Sequence, residues 1–282
     1  MPARILACMT DQMARAAVRT TRADVLLASA GERGVLCDFY SETAADIYQD
    51  IMGDGDKDGS PEAGEYATHI RPESGPVLEL AAGTGRLTFP LLDLGLEVTA
   101  LELSTAMLGA LQKRLAEAPV EIQDRCTVVH GDMSAFALDT RFGTVMISSG
   151  SINVLDDADR PGVYASVREH LAPGGRFLLG VAVSEAVGPD EVERRQELPG
   201  RSGRRYVLHA RRSPAEEIHE ITIYPADEAA DPFLVCTNRV RLLKEDQVVR
   251  ELEQAGFDVI ARTPFASQGA EGVLLLEAVV RG

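Results

Sequence analysis

The sequence predicts an α/β fold, a Rossmann-like doubly wound sheet of seven mostly parallel strands that carries a small antiparallel β insertion. Between residues 77 and 183, short β-rich runs alternate with amphipathic helical segments, as in parallel sheets covered by helices on both faces. The first run leads into Ala81-Ala82-Gly83-Thr84-Gly85, a turn typical of nucleotide-binding domains. After residue 200, three strand-like runs follow without helices between them, which predicts the antiparallel insertion.

Residues 1–75 are predicted to form an N-terminal helical cap. Apolar and aromatic residues at helical spacing predict a helix over residues 37–52, which contains Tyr40 and Tyr48. A polar loop follows over residues 53–64, and a short helix then runs to about Ile70. The breaker-rich segment Arg71-Pro72-Glu73-Ser74-Gly75-Pro76 separates this cap from the next domain.

The main domain is predicted over residues 76–200 and 244–282, with the insertion over residues 201–243 above the active site. Its strands are expected at residues 77–81, 97–103, 126–130, 144–148, 176–183, 257–262 and 272–280. Its helices are expected at residues 86–94, 105–118, 160–171 and 245–255. The insertion strands are expected at residues 205–211, 217–224 and 233–243.

The composition argues against several classes of partner. The formal net charge is −16, and so acidic a surface repels the phosphates of nucleic acids. No apolar run reaches the roughly 18 residues of a membrane span. The four cysteines have no metal-ligand or disulfide-framework spacing, which fits a reducing compartment: Cys8, Cys37, Cys126 and Cys236. We therefore expect a cytoplasmic monomer or homodimer that binds neither nucleic acid nor membrane.

A second motif resembles a calcium loop. Residues 54–65 match the pattern D-x-D-x-D-G-x5-E, whose oxygens could surround a hard cation. However, Pro61 occupies the eighth position, where paired calcium loops usually have a β-branched apolar residue, and the sequence contains no second loop. We expect a solvated acidic loop here and no metal site.

The glycine turn and two acids point to a nucleoside ligand. Gly83 and Gly85 lack a Cβ, so they can adopt positive φ and let the backbone approach a ligand. Glu102 stands seventeen residues after Gly85, at the end of the next strand, where an acid accepts hydrogen bonds from ribose hydroxyls. Asp132 ends the third strand and could accept a hydrogen bond from an adenine amine, with Met107 against the ring.

These residues resemble the class I S-adenosylmethionine-dependent methyltransferases, and the resemblance covers residues 77–183. Further matches are the segment Ser148-Ser149-Gly150-Ser151-Ile152-Asn153 and the turn Leu171-Ala172-Pro173-Gly174-Gly175. Ala81 departs from the family, which often has glycine there, but a small side chain still permits close approach. The resemblance implies S-adenosylmethionine as methyl donor, S-adenosylhomocysteine as product, and these donor-binding residues: Tyr40, Tyr48, Glu79, Ala81, Gly83, Gly85, Arg86, Glu102, Leu103, Met107, Asp132, Met133 and Ser148.

Two alternatives remain open. A nicotinamide-dependent dehydrogenase would use the same acid but requires the pattern Gly-x-Gly-x-x-Gly. Here Thr88 stands at the third glycine position and Glu79 precedes the turn, which favours the methyl donor. The second alternative is a non-catalytic donor-binding or scaffold protein of a biosynthetic complex.

The insertion indicates which kind of acceptor is methylated. It is similar to that of small-molecule N-methyltransferases, including those acting on amino sugars, and residues 31–52 and 79–105 resemble methyltransferases of daptide-type peptide biosynthesis. The resemblance implies transfer of one or more methyl groups to a primary or secondary amine of a small molecule or modified peptide terminus. A dedicated base is optional, because solvent can take the proton. Asn153, His209 and His219 are expected to position the amine.

Overall fold

The computed structural model describes residues 21–52, 61–148, 150–184, 191–267 and 270–282. The chain divides into two units. The larger unit comprises residues 55–187 and 242–282, and the smaller comprises residues 1–54 and 188–241. Cys8 and most of the calcium-like loop lie outside the described residues.

The described residues form eight α-helices and twelve strands. The helices are α1 Arg22–Ala30, α2 Glu42–Met52, α3 Pro61–His69, α4 Thr88–Asp93, α5 Thr105–Ala116, α6 Val120–Gln123, α7 Arg160–His170 and α8 Glu245–Gln254. The strands are β1 Gly34–Asp38, β2 Val77–Leu80, β3 Val98–Glu102, β4 Cys126–His130, β5 Phe142–Ile147, β6 Leu171–Ala182, β7 Val192–Pro199, β8 Arg205–Ser213, β9 Ile218–Pro225, β10 Phe233–Arg241, β11 Phe257–Ser267 and β12 Ala270–Val280.

The larger unit contains the predicted seven-stranded sheet, in the order β11-β12-β6-β5-β2-β3-β4. Strands β4, β3, β2, β5 and β6 run parallel, while β12 is antiparallel to both of its neighbours. Every side chain of β2 and β5 is buried, as expected of parallel strands with both faces covered. The predicted fold class is therefore confirmed.

The strand order places a crevice at the end of β2. From β2 the chain continues outward through β3 and β4, and then returns to add β5 on the opposite side of β2. Connections that leave in opposite directions open a space beyond the carboxyl ends of the strands, where ligands bind in doubly wound sheets. The glycine turn directly follows β2 and therefore lies at this point.

The smaller unit is built on a five-stranded sheet in the order β1-β10-β9-β8-β7. Helix α1 packs on one face, where Ala23 and Leu27 meet Val207 and Val235. Helix α2 packs on the opposite face, where its apolar residues join Tyr206, Ile223 and Cys236. Strand β1 pairs in parallel with β10, so the N-terminal segment and the insertion share one sheet.

The structure corrects two secondary-structure predictions in this unit. The predicted helix over residues 37–52 begins only at Glu42, because residues 34–38 pair with β10 and are extended. Tyr40 consequently lies in the turn before α2. Strand β7, Val192–Pro199, was not predicted. Tertiary pairing overrides local helical spacing in the first case, and a charged edge strand shows no apolar alternation in the second.

A buried arginine joins two helices of the larger unit. The Arg160 side chain on α7 is fully buried, and its Nε and Nη2 donate to the two carboxylate oxygens of Glu251 on α8 at 2.9 and 2.7 Å. It also binds Asp157 at 2.7 Å and the carbonyl of Leu155 at 3.1 Å. The Tyr164 hydroxyl donates to the same Glu251 carboxylate at 3.1 Å.

Replacing Arg160 by leucine should therefore destabilise the protein strongly. The substitution leaves Glu251 and Asp157 without their shared cation, and breaking such a buried ion pair costs about 3 kcal/mol of the free energy of unfolding. Urea denaturation followed by circular dichroism measures this loss. The control is Arg250→Ala, which removes the exposed pair with Asp246 and should change nothing measurable. Equal effects of the two substitutions would contradict the prediction.

Candidate functional site

The turn after β2 is held in a left-handed backbone conformation. Ala81, Gly83 and Gly85 have φ of 56°, 60° and 88°. A Cβ added to Gly83 would meet no atom within 4 Å, so this residue borders open space. A Cβ on Gly85 would lie 2.5 Å from the Leu111 side chain, so Gly85 is required for packing against α5. The two glycines therefore serve different purposes.

Ala81 occupies a conformation that usually requires glycine. The left-handed region costs a non-glycine residue about 1–2 kcal/mol. Neighbouring backbone hydrogen bonds hold the turn nevertheless, from Ala82 N–H to the Leu101 carbonyl at 3.1 Å and from Gly85 N–H to the Ala82 carbonyl at 3.0 Å. The departure from glycine noted in the sequence thus stores backbone strain at the turn.

Glu102 links the end of β3 to the glycine turn. Its Oε2 accepts from Gly83 N–H at 2.8 Å, and its Oε1 accepts from Ser104 N–H at 2.7 Å. Burial raises the pKa of the Glu102 carboxyl, while these backbone donors act in the opposite direction. Because each carboxylate oxygen has a further lone pair, the oriented carboxylate can still accept hydrogen bonds from two ribose hydroxyls.

Asp132 follows β4 and is oriented in a similar way. Its Oδ1 accepts from Ser134 N–H at 2.8 Å and from the Ser134 hydroxyl at 2.7 Å. Among the described residues, none forms a hydrogen bond to Oδ2, which can therefore accept from an exocyclic amine. Met107 is buried in the first turn of α5, and the half-buried Leu103 and Met133 follow β3 and β4.

Glu79 and Arg86 flank the glycine turn on either side. The Glu79 carboxylate is buried in β2 and accepts from the Thr88 hydroxyl at 2.6 Å, which ties β2 to the first turn of α4. Burial raises the pKa of Glu79 to about 7. Arg86 Nη1 lies 2.6 Å from the buried Glu62 carboxylate on α3. Sequence reasoning missed Glu62, because nothing in the spacing distinguishes this acid from others on the helix.

The segment after β5 is anchored by Asn153. Its Nδ2 donates to the Ala182 carbonyl at 2.8 Å, and its Oδ1 accepts from Ala182 N–H at 3.0 Å. The buried carboxamide thus binds the backbone of β6 with both of its polar atoms and holds the segment in place. Ser148, at the start of this segment, lies with its hydroxyl 3.2 Å from that of Ser151.

The four remaining predicted residues belong to the smaller unit: Tyr40, Tyr48, His209 and His219. The two histidines lie on opposite faces of its sheet. His209 faces Thr222 across the strand pair, whereas His219 faces Arg212. Positions 209 and 212 are an odd number of residues apart on one strand, so their side chains point to opposite faces. The arrangement excludes simultaneous contact of one small acceptor with both histidines.

Tyr40 is connected to the His219 face. The Asn238 Nδ2 donates to the Tyr40 hydroxyl at 3.2 Å. Asn238 pairs with Ile221, which in turn pairs with Ala210. Ala210 lies two positions before Arg212, the strand partner of His219, so their side chains point to the same face. Asn238 and His219 therefore share this face of the sheet. Burial and the positive charge of Arg212 lower the pKa of His219 to about 4, so its imidazole is neutral at pH 7. On the other face, His209 Nε2 lies 2.5 Å from Glu193.

Comparison with known proteins identifies the family of this chain and its methyl donor. Residues 77–175 match a family model described as a methyltransferase domain. The structure of the glycopeptide N-methyltransferase MtfA in complex with S-adenosylmethionine is similar to this chain, with 63% identity, a TM-score of 0.68, and coverage of 95% of this chain and 100% of MtfA. The chain belongs to the class I S-adenosylmethionine-dependent methyltransferases. The predicted family and donor are thereby confirmed, and the dehydrogenase alternative is set aside.

More distant relatives of this methyltransferase are named as enzymes that modify amines. A dTDP-3-amino-3,4,6-trideoxy-alpha-D-glucopyranose N,N-dimethyltransferase from Streptomyces venezuelae is 34% identical over 145 residues, which cover 50% of this chain and 57% of that protein. The cypemycin N-terminal methyltransferase from a Streptomyces species is 27% identical over 141 residues, or 50% and 55% of the two chains. The chain thus spans about half the length of the curated relatives that it matches.

The observed residues fit the donor of this family. Open space in front of Gly83 admits the ligand, Glu102 presents a buried carboxylate, and Asp132 retains an accepting oxygen. Within the described part of the chain, no group of three acidic, histidine or cysteine side chains could hold a metal ion. No helix in the same residues is long and apolar enough to cross a membrane.

The two glycines of the turn should respond differently to substitution by alanine. Both substitutions strain a left-handed backbone, but only Gly85→Ala forces a Cβ into Leu111 and Phe89. We expect Gly85→Ala to lower the melting temperature well below that of Gly83→Ala. Gly83→Ala should retain the fold but lose affinity for S-adenosylhomocysteine, because its methyl group occupies the ligand space. Thermal melts and calorimetry measure both effects, and reversed behaviour of the pair would refute these roles.

Glu79 should make stability depend on pH. The folded pKa of about 7 lies above the ordinary value of 4.5, so between these pH values the folded state keeps a proton that the unfolded state releases. Raising the pH through this range therefore destabilises the wild type, by on the order of 3 kcal/mol, relative to the uncharged variant Glu79→Gln. Urea denaturation of both proteins at pH 5 and pH 8 tests this. A stability difference that does not change with pH would contradict it.

Proposed function

We propose that this methyltransferase transfers methyl groups from S-adenosylmethionine to an amine nitrogen of a glycopeptide natural product. One observation carries the proposal, the 63% identity to a glycopeptide N-methyltransferase over 95% of this chain and the whole of that protein. Likeness over the full length includes both units, whereas the relatives that act on sugar nucleotides align over half of the chain.

The donor-site roles follow from the oriented side chains of the larger unit. Glu102 accepts from the ribose hydroxyls, Asp132 accepts from the adenine amine, and Met107 packs against the adenine ring. Gly83 and Gly85 form the turn beside the donor, with Arg86, Leu103, Met133 and Ser148 around it. Glu79 and Ala81 shape the turn, and Tyr40 and Tyr48 complete the proposed set of donor-binding residues.

The chain has a limited chemical task in this reaction. S-adenosylmethionine supplies an activated methyl group attached to a positively charged sulfur. The protein must hold the nucleophilic nitrogen in line with that methyl group, with its lone pair neutral and water excluded. A strong base is unnecessary, because the amine proton can pass to solvent. Positioning groups therefore matter more here than proton acceptors.

We infer that His219, rather than His209, positions the amine. His219 shares its face of the sheet with Asn238, the hydrogen-bond partner of Tyr40. An acceptor beside Tyr40 therefore meets His219, while His209 points away. With a pKa near 4, the neutral imidazole accepts a hydrogen bond from the amine but is too weak a base to keep the proton at pH 7. Asn153 acts indirectly, by holding the segment after β5.

The setting of the reaction is part of the same proposal. The three cysteines in the described residues are all free thiols, which fits the reducing cytoplasm. We propose a monomer or homodimer. The similarity to the cypemycin N-terminal methyltransferase favours a second acceptor, the N-terminal amine of a peptide. The daptide resemblance of residues 31–52 and 79–105 favours a related acceptor, an amine that replaces the C-terminal carboxyl of a peptide.

A competition assay distinguishes these acceptors. The protein is incubated with S-adenosylmethionine and equal amounts of a glycopeptide aglycone with a free amine terminus, its N-acetylated form, a linear peptide and a dTDP-amino sugar. Mass spectrometry should detect methyl addition to the free-amine aglycone and none to the N-acetylated form. Preferential methylation of the sugar or of the linear peptide would overturn the glycopeptide assignment. Donor binding without turnover on any amine would instead support a non-catalytic scaffold.

Substitution of the two histidines tests the face assignment. We expect His219→Ala to lower kcat with the aglycone by about 10-fold to 100-fold, because the amine loses an orienting hydrogen bond near the reacting atoms. His209→Ala should retain most of the wild-type rate. The lower limb of the pH–rate profile should follow the pKa of the substrate amine in both variants, since His219 does not titrate near neutrality. A loss confined to His209→Ala would refute the assignment.

A further inference from the structure

Two cysteines of the smaller unit lie side by side on neighbouring strands. Cys37 of β1 and Cys236 of β10 are directly paired in the parallel register of these strands. Residues paired in register point to the same face of a sheet, so both thiols lie on one face. The Cys37 thiol donates to the Val35 carbonyl at 3.9 Å, and its sulfur accepts a hydrogen bond from Cys236. The two sulfur atoms therefore meet in the reduced protein.

The thiol pair is enclosed by an apolar cluster beneath helix α2. Cys37 is 8% exposed and Cys236 is 1% exposed. Both belong to the cluster that contains Ala44 and Ile47 of α2 and Ile223 of β9. Dense packing of this kind holds side chains in defined rotamers, so the two sulfur atoms stay together in the folded state.

The spacing of the two strands matches that of a disulfide. Paired strands lie about 4.8 Å apart, and the Cα atoms of a disulfide are usually about 4.4–6.8 Å apart. Among the described strands, β1 pairs only with β10, so this edge strand can make the small movement that bond formation needs. The strand partner of Cys126, by contrast, is Val98, which cannot form a disulfide.

We propose that Cys37 and Cys236 form a reversible disulfide when the protein meets hydrogen peroxide, and that this bond ties the N-terminal segment to the insertion. The more exposed Cys37 sulfur attacks one peroxide oxygen, and the O–O bond breaks. The other oxygen leaves as hydroxide, which the thiol proton converts to water, and Cys37 becomes a sulfenic acid. The Cys236 sulfur then displaces the sulfenic hydroxyl as a second water. Two thiols are oxidised to one disulfide, and one peroxide is reduced to two waters.

The surroundings of the pair should make this oxidation slow. Burial raises the pKa of the Cys37 thiol, and the hydrogen bond from Cys236 lowers it by a smaller amount. Because the thiolate is the reactive form, a thiol with a raised pKa reacts slowly. The pair therefore stays reduced in a reducing compartment and responds to sustained oxidation rather than to a brief exposure.

The bond should stabilise the folded protein. It closes a loop of about two hundred residues between β1 and β10. A crosslink across a long loop removes conformational freedom mainly from the unfolded chain, so the folded state gains stability. We expect the disulfide form to melt about 5 °C or more above the reduced form.

Peptide mapping of the oxidised protein tests the inference. The folded wild type is incubated with hydrogen peroxide, the remaining thiols are alkylated, and the digest is analysed by mass spectrometry without reductant. We expect one linked pair of peptides, containing Cys37 and Cys236, that dithiothreitol separates. Cys37→Ser and Cys236→Ser should each abolish the linked pair, whereas the control Cys126→Ser should retain it.

Thermal melts before and after dithiothreitol measure the stabilisation. Methionine oxidation is common to both samples, because dithiothreitol does not reverse it, so the difference reports the disulfide alone. Two alkylated thiols, an unlinked sulfinic acid at Cys37, a bond to Cys8 or Cys126, or a bond between two chains would overturn the inference. An unchanged melting temperature would overturn the proposed tie between the segments. The wild-type map decides even where a serine variant fails to fold.

Discussion

The hydrogen bond from Gly83 N–H to Glu102 is the contact on which the rest of the site depends. It joins the loop after β2 to the end of β3, the two neighbouring strands beside the crevice. The bond orients the acid and fixes the glycine turn, because one carboxylate oxygen binds each of two backbone donors. The buried Glu79–Thr88 contact supports the turn, and neighbouring backbone hydrogen bonds hold it despite the strain at Ala81. If the donor binds here as proposed, this prior orientation of the acid and the turn reduces the entropic cost of binding.

The larger unit could be predicted closely from the sequence, and the smaller unit only in part. Strands such as β2 and β5 are buried on both faces, so their apolar runs stand out between helical segments. Strand β1 gains its conformation from β10, nearly two hundred residues away, and local spacing therefore predicted a helix instead. Strand β7 exposes charged side chains along most of its length, so it carries no apolar signal.

The same division applies to the functional residues. The proposed donor-binding residues Glu102, Asp132 and the glycines follow successive strands at a characteristic spacing, and this spacing can be read from the sequence alone. The role of Glu62 depends on Arg86, a partner on another element of the larger unit, and no local pattern marks this acid. Sequence reasoning grouped His209 with His219, whereas strand register separates them onto opposite faces. Register cannot be read without the pairing partner, so this distinction required the structure.

The most direct test of the account is the affinity of Glu102→Gln for S-adenosylhomocysteine, measured by calorimetry beside Glu97→Gln, an exposed acid just before the same strand. The carboxamide cannot accept from both backbone donors and the ribose together, and hydrogen bonds to charged groups contribute about 1.5–3 kcal/mol each. The account predicts a folded Glu102→Gln protein with affinity reduced about 100-fold or more and an unchanged Glu97→Gln control. Wild-type affinity in a folded Glu102→Gln protein would contradict it.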